Sequence, residues 1–249
     1  MVRVEDVARE AGVSPITVSR ALSNPEKVKE ETRKKVEAAV AKTGYVVNRF
    51  ASSLRSGRST IISAFVSNLA NPHFALAIQG CAAALEGSRY HMLMAQTGYS
   101  EETQEDMLAE VLPFRPAAMM FTGLVQSDAA RDQLMAMDMP VMEMWDYRPD
   151  PIDMLVGFSN SEGGRLLGEH FRERGYRTVV YAGRTQGRGT QRIGGFVEGL
   201  GRQPDMTVSV EGNQSINDGM AALEKIMTEL PETDAIMFGS DVLAVGALL

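Results

Sequence analysis

The apolar positions change period near residue 60, and that change divides the chain. In the first part, Val4, Val7, Ala8 and Ala11 recur at helical spacing and predict a helix of roughly two turns. Gly12 suits its end, because glycine takes positive φ without steric cost. Ser14 fits an N-cap and Pro15 the first helical position, where a missing N–H does no harm. The second helix runs to about Leu22, with Val18 and Leu22 inward. Pro15, Ile16, Ser19 and Arg20 are left to the opposite side or the N-terminal end. Asn24-Pro25 breaks the chain, and a third helix follows from about Glu30 to Lys42, closed by Gly44. Beyond Thr60 the pattern alternates. IISAFVS (61–67) is a continuous apolar run suited to a strand buried on both faces, and PHFALAIQGCAAALEG (72–87) is a helix. Strands follow at 90–97, 117–123, 140–145, 154–159, 178–183 and in TVSVEG and DAIMFGS, with helical runs between them. Such alternation predicts doubly wound parallel sheets, and the Pro/Asp-rich break from Asp146 to Asp153 predicts the crossing from one sheet to a second.

Charge sharpens this division. The net charge is −7, yet residues 1–60 hold twelve Lys/Arg against seven Asp/Glu, which leaves −12 on the remainder. A basic head on an acidic body points to a polyanion partner for the head. Two helices joined by a short glycine turn, with a third closing a small core, form a helix-turn-helix that lays its second helix in the DNA major groove. An ordinary αα-hairpin has the same bare pattern. The one cysteine, Cys81, lies in an apolar helical run and reads as buried filler suited to a reducing cytoplasm. MVRVEDVARE has no signal-peptide core, and no run is long enough to cross a bilayer, so a soluble cytoplasmic chain is expected. There is no Gly-x-Ser-x-Gly, and His73, His91 and His170 lie in separate elements without metal spacing. GRTQGRGT lacks the Lys-Ser/Thr of a phosphate loop. No catalytic residue, cofactor or metal site is expected.

The string VEDVAREAGVSPITVSRALSNPEKVKEETRKKVEAAVAKTGYVVNRFASSLRSGRS, from Val4 to Ser59, resembles the LacI family of bacterial transcription regulators. The resemblance assigns base contacts to Pro15, Ile16 and Arg20, and places Ser14, Thr17, Ser19 and Thr32 near phosphates, where hydroxyls position rather than specify. Pro15 and Ile16 are apolar and can only press on a thymine methyl or exclude one, whereas Arg20 can grip a guanine bidentately. NRFASSLR (48–55) looks like the family's hinge helix, with Asn48 as a cap and Ala51 and Leu54 on one side. Eight residues are too few for a stable isolated helix, so formation on DNA beside a partner's copy is expected. Leu54 is then the minor-groove wedge; read alone, it is a plain linker leucine.

The body is similar to the family's periplasmic-binding-protein-like core of two α/β subdomains with a ligand between them. Residues 1–46 are then the helix-turn-helix domain, 47–59 hinge and linker, 60–150 the first subdomain and 151–249 the second. Ligands of open α/β sheets sit outside the carboxyl ends of the strands, which selects the loops 68–74, 121–123, 145–147, 158–164, 183–192 and 239–241. The resemblance implies Phe74 as a ring packing on the effector, Arg192 as its principal charged donor, Asp241 as a hydroxyl acceptor and Asn160 at the pocket edge. Trp145 and Asp146 occupy the loop after the fourth strand, Asp146 as a second hydroxyl acceptor. QTGYSEET, NPHFA and WDYRPDPIDMLVGFSNSEGGR look like the subgroup of gluconate-utilisation repressors, and a sugar acid pairs naturally with Arg192. Arg184 and Arg188 either add to that charge or are simply solvated.

Two departures from the family matter. The chain stops at DVLAVGALL, where the family continues for several tens of residues, so the second subdomain is expected to be incomplete; a fragment and a natural truncated product both fit. Ser240 stands where the family often has asparagine, which puts one polar contact in doubt. The expected function is a sequence-specific regulator, read as a repressor, acting as a homodimer on a pseudo-palindromic operator under a sugar or sugar-acid effector. The alternative is a truncated regulator that keeps DNA binding without effector response. A solute-binding protein needs an export signal and no basic head, and an architectural DNA binder needs no sugar-type cleft.

Overall fold

A computed structural model describes residues 2–46 and 59–249, which fall into two compact units that divide at Ser59 and Thr60. The first unit holds α1 (Val4–Ala11), α2 (Pro15–Ser23) and α3 (Glu30–Thr43). Gly12, at φ 65°, and Gly44, at φ 67°, end α1 and α3 in the left-handed region that glycine occupies freely. Ser14 caps α2: its Oγ accepts the Thr17 N–H at 3.1 Å, with Pro15 next in line. Val7, Ala8, Val18, Ala21, Val36 and Ala39 are buried together, and Leu22 and Val40 pack partly against them. An ion pair of 2.6 Å from Lys42 to Glu10 ties α3 to α1.

The second unit is built on two all-parallel sheets. The first has five strands, β1 (Ile61–Val66), β2 (His91–Gln96), β3 (Ala118–Phe121), β4 (Val141–Met144) and β5 (Met154–Val156), in the order β2-β1-β3-β4-β5. On one face lies α4 (Pro72–Ala84), whose Phe74 and Ile78 pack with Ala64, Val66, Met120 and Met144. On the other lie α5 (Glu101–Val111) and α6 (Asp128–Met135), around Phe65, Met119 and Phe121. The second sheet has β6 (Val179–Gly183), β7 (Met206–Ser209) and β8 (Ala235–Phe238) in the order β7-β6-β8. Its helices are α7 (Asn160–Glu173) and α8 (Arg188–Leu200) on one face and α9 (Ile216–Glu229) on the other; α10 (Asp241–Leu248) follows β8.

One boundary needs correction. The crossing between sheets was expected in the 146–153 break, dividing 60–150 from 151–249, but β5 still pairs with β4, Glu143 opposite Leu155, in the first sheet. The crossing comes after Val156, because the Pro/Asp-rich segment is a turn that returns the chain to the same sheet. The expected hinge residues Asn48, Ala51 and Leu54 lie outside the described residues.

Candidate functional site

In the helical unit, α2 presents its N-terminal half outward. Ser14, Pro15 and Arg20 are exposed, and Ile16 is 72% exposed although it is a large apolar residue. Thr17, Ser19 and Thr32 are half-buried. Val18 and Ala21 of the same helix are buried, so packing fixes which side chains point out. The helix thus leaves an exposed isoleucine in its capped first turn and an exposed arginine one turn on, both free to meet a partner surface.

In the core, strand order reverses between β1 and β3 and again between β6 and β8, and ligand crevices open at such points. At the first, the Ser67 N–H donates to Thr122 Oγ1 at 2.8 Å, binding the two loops together. At the second, a Cβ on Gly183 would stand 2.8 Å from the Gly239 Cα, so only glycine lets those loops touch. Loops from both sheets line a cleft of two adjoining lobes, about 460 and 330 Å³. Phe74, Trp145, Arg192 and Asp241 line the larger, and Asp146 the smaller. Tyr99, Arg184 and Arg188 line both.

Trp145 holds φ at 62°, in the left-handed region that is strained for a bulky side chain. Its ring meets Phe74 edge-on, with centroids 5.0 Å apart. The next residue, Asp146, is buried and accepts the Asn160 amide at 3.1 Å. Asn160 is buried behind the cleft rather than at its edge, and its Oδ1 accepts from Arg192, which also donates to the Gly239 carbonyl. Asp241 pairs with His73 Nε2 at 2.9 Å, joining α10 to α4. Arg184 donates to the Gly212 carbonyl, stacks on Tyr99 at 3.5 Å and faces Glu211 at 3.8 Å. Burial pushes the Glu211 carboxyl up, but donors from Thr185 and Ser209 and the Arg184 charge outweigh it and hold it below its ordinary value. Tyr181 donates to the Arg184 carbonyl at 2.7 Å, and burial raises its phenol. Ser240 Oγ donates to Gln214 at 2.7 Å.

The loops chosen from sequence omit those after β2 and β7, which bring Tyr99, Glu211 and Gln214 to the cleft. The rule of carboxyl ends, applied to every strand, includes both. No group of three or more metal-ligating residues occurs among the described residues, and no described helix is long and apolar enough to cross a membrane.

Residues 3–48 match the family model for bacterial regulatory proteins of the lacI family, and residues 59–249 match that for periplasmic binding proteins and the sugar-binding domain of the LacI family. The chain belongs to the LacI family. It is a DNA-binding transcription regulator with a sugar-binding domain, not an enzyme. The HTH-type transcriptional regulator GntR of Pseudomonas aeruginosa is 32% identical over 251 residues, covering 99% of this chain and 73% of its relative. A LacI-family transcriptional regulator from Silicibacter pomeroyi has a solved structure with TM-score 0.88 and 31% identity, over 100% of this chain and 76% of that one. The lac repressor dimer, solved on operator with the anti-inducer ONPF, matches at TM-score 0.72 and 25% identity, over 99% and 76%. As a LacI-family chain, this one joins an all-α head to an α/β core with parallel sheets, as expected from its sequence.

Proposed function

We propose that this LacI-family protein is a cytoplasmic repressor that binds a pseudo-palindromic operator as a homodimer and releases it on binding a sugar acid, gluconate being the leading candidate. The observation that carries the reading is the pairing of an outward-facing, capped α2 with a cleft where three arginines meet Phe74, Tyr99 and Trp145. Aromatic faces take the apolar side of a sugar, and guanidinium groups take a carboxylate. Phe74, Trp145, Asp146, Asn160, Arg192 and Asp241 form or back that site. Ser14, Thr17, Ser19 and Thr32 hold phosphates, Pro15 and Ile16 press on base edges, Arg20 reads one, and Asn48, Ala51 and Leu54 act at the minor groove. The effector changes the angle between the core subdomains and acts on the heads through residues 47–59. Coupling of this kind is about 1–3 kcal/mol and reciprocal, so operator DNA weakens effector binding by the same factor.

Fluorescence anisotropy with duplex DNA from the gene's own upstream region, against scrambled competitor, tests this with and without gluconate. Selective binding that gluconate weakens is the expected result; selective binding indifferent to every sugar acid removes the effector half of the proposal. Affinity should fall with salt at a log–log slope of about −0.9 per phosphate neutralised. Arg20→Ala is expected to cost about 1–3 kcal/mol on operator and far less on scrambled DNA. Equal loss on both would make Arg20 a phosphate contact.

A further inference from the structure

The charged side chains lining the cleft are almost all spoken for. Arg148 is paired with Asp150 at 3.1 Å. Arg184 is held by the Gly212 carbonyl and Glu211, and Arg192 by the Gly239 carbonyl and Asn160. Among the acids, Asp146 is bonded by Asn160 and by the Tyr147 N–H, Glu211 by Thr185 and Ser209, and Asp241 by His73. Arg188 differs. Among the described residues its side chain has no hydrogen bond and no ion pair, only two aromatic neighbours: its guanidinium carbon lies 5.5 Å from the Phe74 ring centroid and 5.6 Å from that of Tyr99.

Its position makes the missing partner informative. Arg188 lines both lobes of the cleft and so stands where they meet. It is the first residue of α8, one turn before Arg192 on the same helical face, so two like charges share that face. Burial draws its pKa below the ordinary guanidinium value, opposed by Tyr99 and Asp146 and reinforced by Arg192 and Arg184. An unpaired cation in a half-buried site is costly, and an anion that enters the cleft relieves that cost.

We propose that Arg188, rather than Arg192, receives the anionic group of the effector, as a bidentate guanidinium–carboxylate pair at the junction of the two lobes. This rests on the reading of the cleft as a sugar-acid site. Arg192, already spent on Gly239 and Asn160, is a positioning residue that holds β8's loop to the start of α7. A single uncommitted guanidinium matches a carboxylate of one charge. A phosphate monoester carries nearly two charges and calls for a second guanidinium whose fork is uncommitted, whereas those of Arg192 and Arg184 are engaged by Gly239 and Asn160 and by Gly212 and Glu211. The site therefore selects sugar carboxylates over both neutral sugars and sugar phosphates.

Trp145 is the only tryptophan in the sequence and lines the cleft, so its fluorescence reports binding to the full chain. Titrations at matched ionic strength with gluconate, glucose and 6-phosphogluconate are expected to give wild-type affinity in the order gluconate first. Arg188→Gln should raise the gluconate Kd at least tenfold and leave that of glucose within twofold. Arg188→Lys should recover part of the loss, since it restores the charge but not the two-pronged geometry. The Tm of ligand-free Arg188→Gln should stay close to wild type, because the change removes no side-chain hydrogen bond or ion pair, and the two long ring contacts it loses are offset by relief of the repulsion from Arg192. An unchanged gluconate Kd in Arg188→Gln overturns the assignment while leaving the sugar-acid reading in place. A fall in the ligand-free Tm with equal loss of gluconate and glucose also overturns it, by showing a structural role. A wild-type chain that binds operator but none of the three ligands overturns the assignment and the sugar-acid reading together.

Discussion

Gly195→Val is expected to lower the stability of the core by about 3 kcal/mol or more, and to abolish effector response with it. Helices α7 and α8 approach so closely that each lies against the other's backbone. A Cβ on Gly195 would stand 1.9 Å from the Ser161 carbonyl oxygen, and one on Gly199 2.0 Å from that of Arg165. The contact is reciprocal: on α7, Gly164 and Gly168 would bring a Cβ to 2.1 Å from the Arg192 oxygen and 2.3 Å from that of Phe196. Backbone cannot rotate aside as a side chain can, so the helices must separate and open the cluster around Phe171, Phe196 and Tyr181. Gly194 is a control on the same helix, with nothing within 4 Å of its missing Cβ. Gly194→Ala is expected to be neutral or to stabilise by up to about 1 kcal/mol through helix propensity. Urea unfolding followed by circular dichroism separates the two, and equal midpoints for both variants would show that α7 and α8 part at little cost. The functional consequence follows from the same contact, because it sets Asn160 beside Arg192.

These glycines mark what the sequence displays openly and what it conceals. Apolar periodicity exposes the alternation of strand and helix, and the caps at Ser14, Gly12 and Gly44 are legible because each solves a local problem of the backbone. The glycines of RLLGEH and RIGGFVEG read locally as weak helix positions, and only the partner helix gives them a purpose. The place of β5 is non-local in the same way. Three residues, Met154–Val156, carry too little pattern to name a sheet, and pairing with β4 decides it. In the cleft, strand position selects the loops and the family resemblance the residues within them, and together they place Phe74, Trp145, Arg192 and Asp241 on its wall. They do not reveal that Arg192 is occupied and Arg188 is not, because that depends on carbonyls whose positions only the fold supplies.

Glu143→Leu is expected to destabilise the first subdomain by about 3–5 kcal/mol, the cost of leaving a buried charge without its counterpart. Glu143, on β4 between β3 and the edge strand β5, is fully buried. Its Oε1 accepts the Val125 N–H at 2.8 Å and its Oε2 the Ile152 N–H at 3.0 Å. Arg131, 6% exposed at its side chain, lies 3.7 Å away, too far for a hydrogen bond and close enough for attraction that burial strengthens. Arg131 is otherwise held by the Asp150 carbonyl at 2.6 Å, and its Nη1 has no hydrogen-bond partner. Removing the carboxylate therefore orphans two backbone donors at once and leaves the buried Arg131 only the exposed Asp150, whose carboxylate also lies 3.7 Å away. Glu143→Gln should cost less, since it retains the shape and one acceptor. In the double variant with Arg131→Met, the total loss should be well below the sum of the two single losses, because the second change removes the charge that the first left bare. Additive losses in urea denaturation would mean that Arg131 and Glu143 act independently. Val125 lines the smaller lobe of the cleft, so the same carboxylate that supports the sheet also fixes part of the ligand-facing wall. Weaker ligand binding in Glu143→Gln, beyond what its lower stability explains, is the result that this link requires.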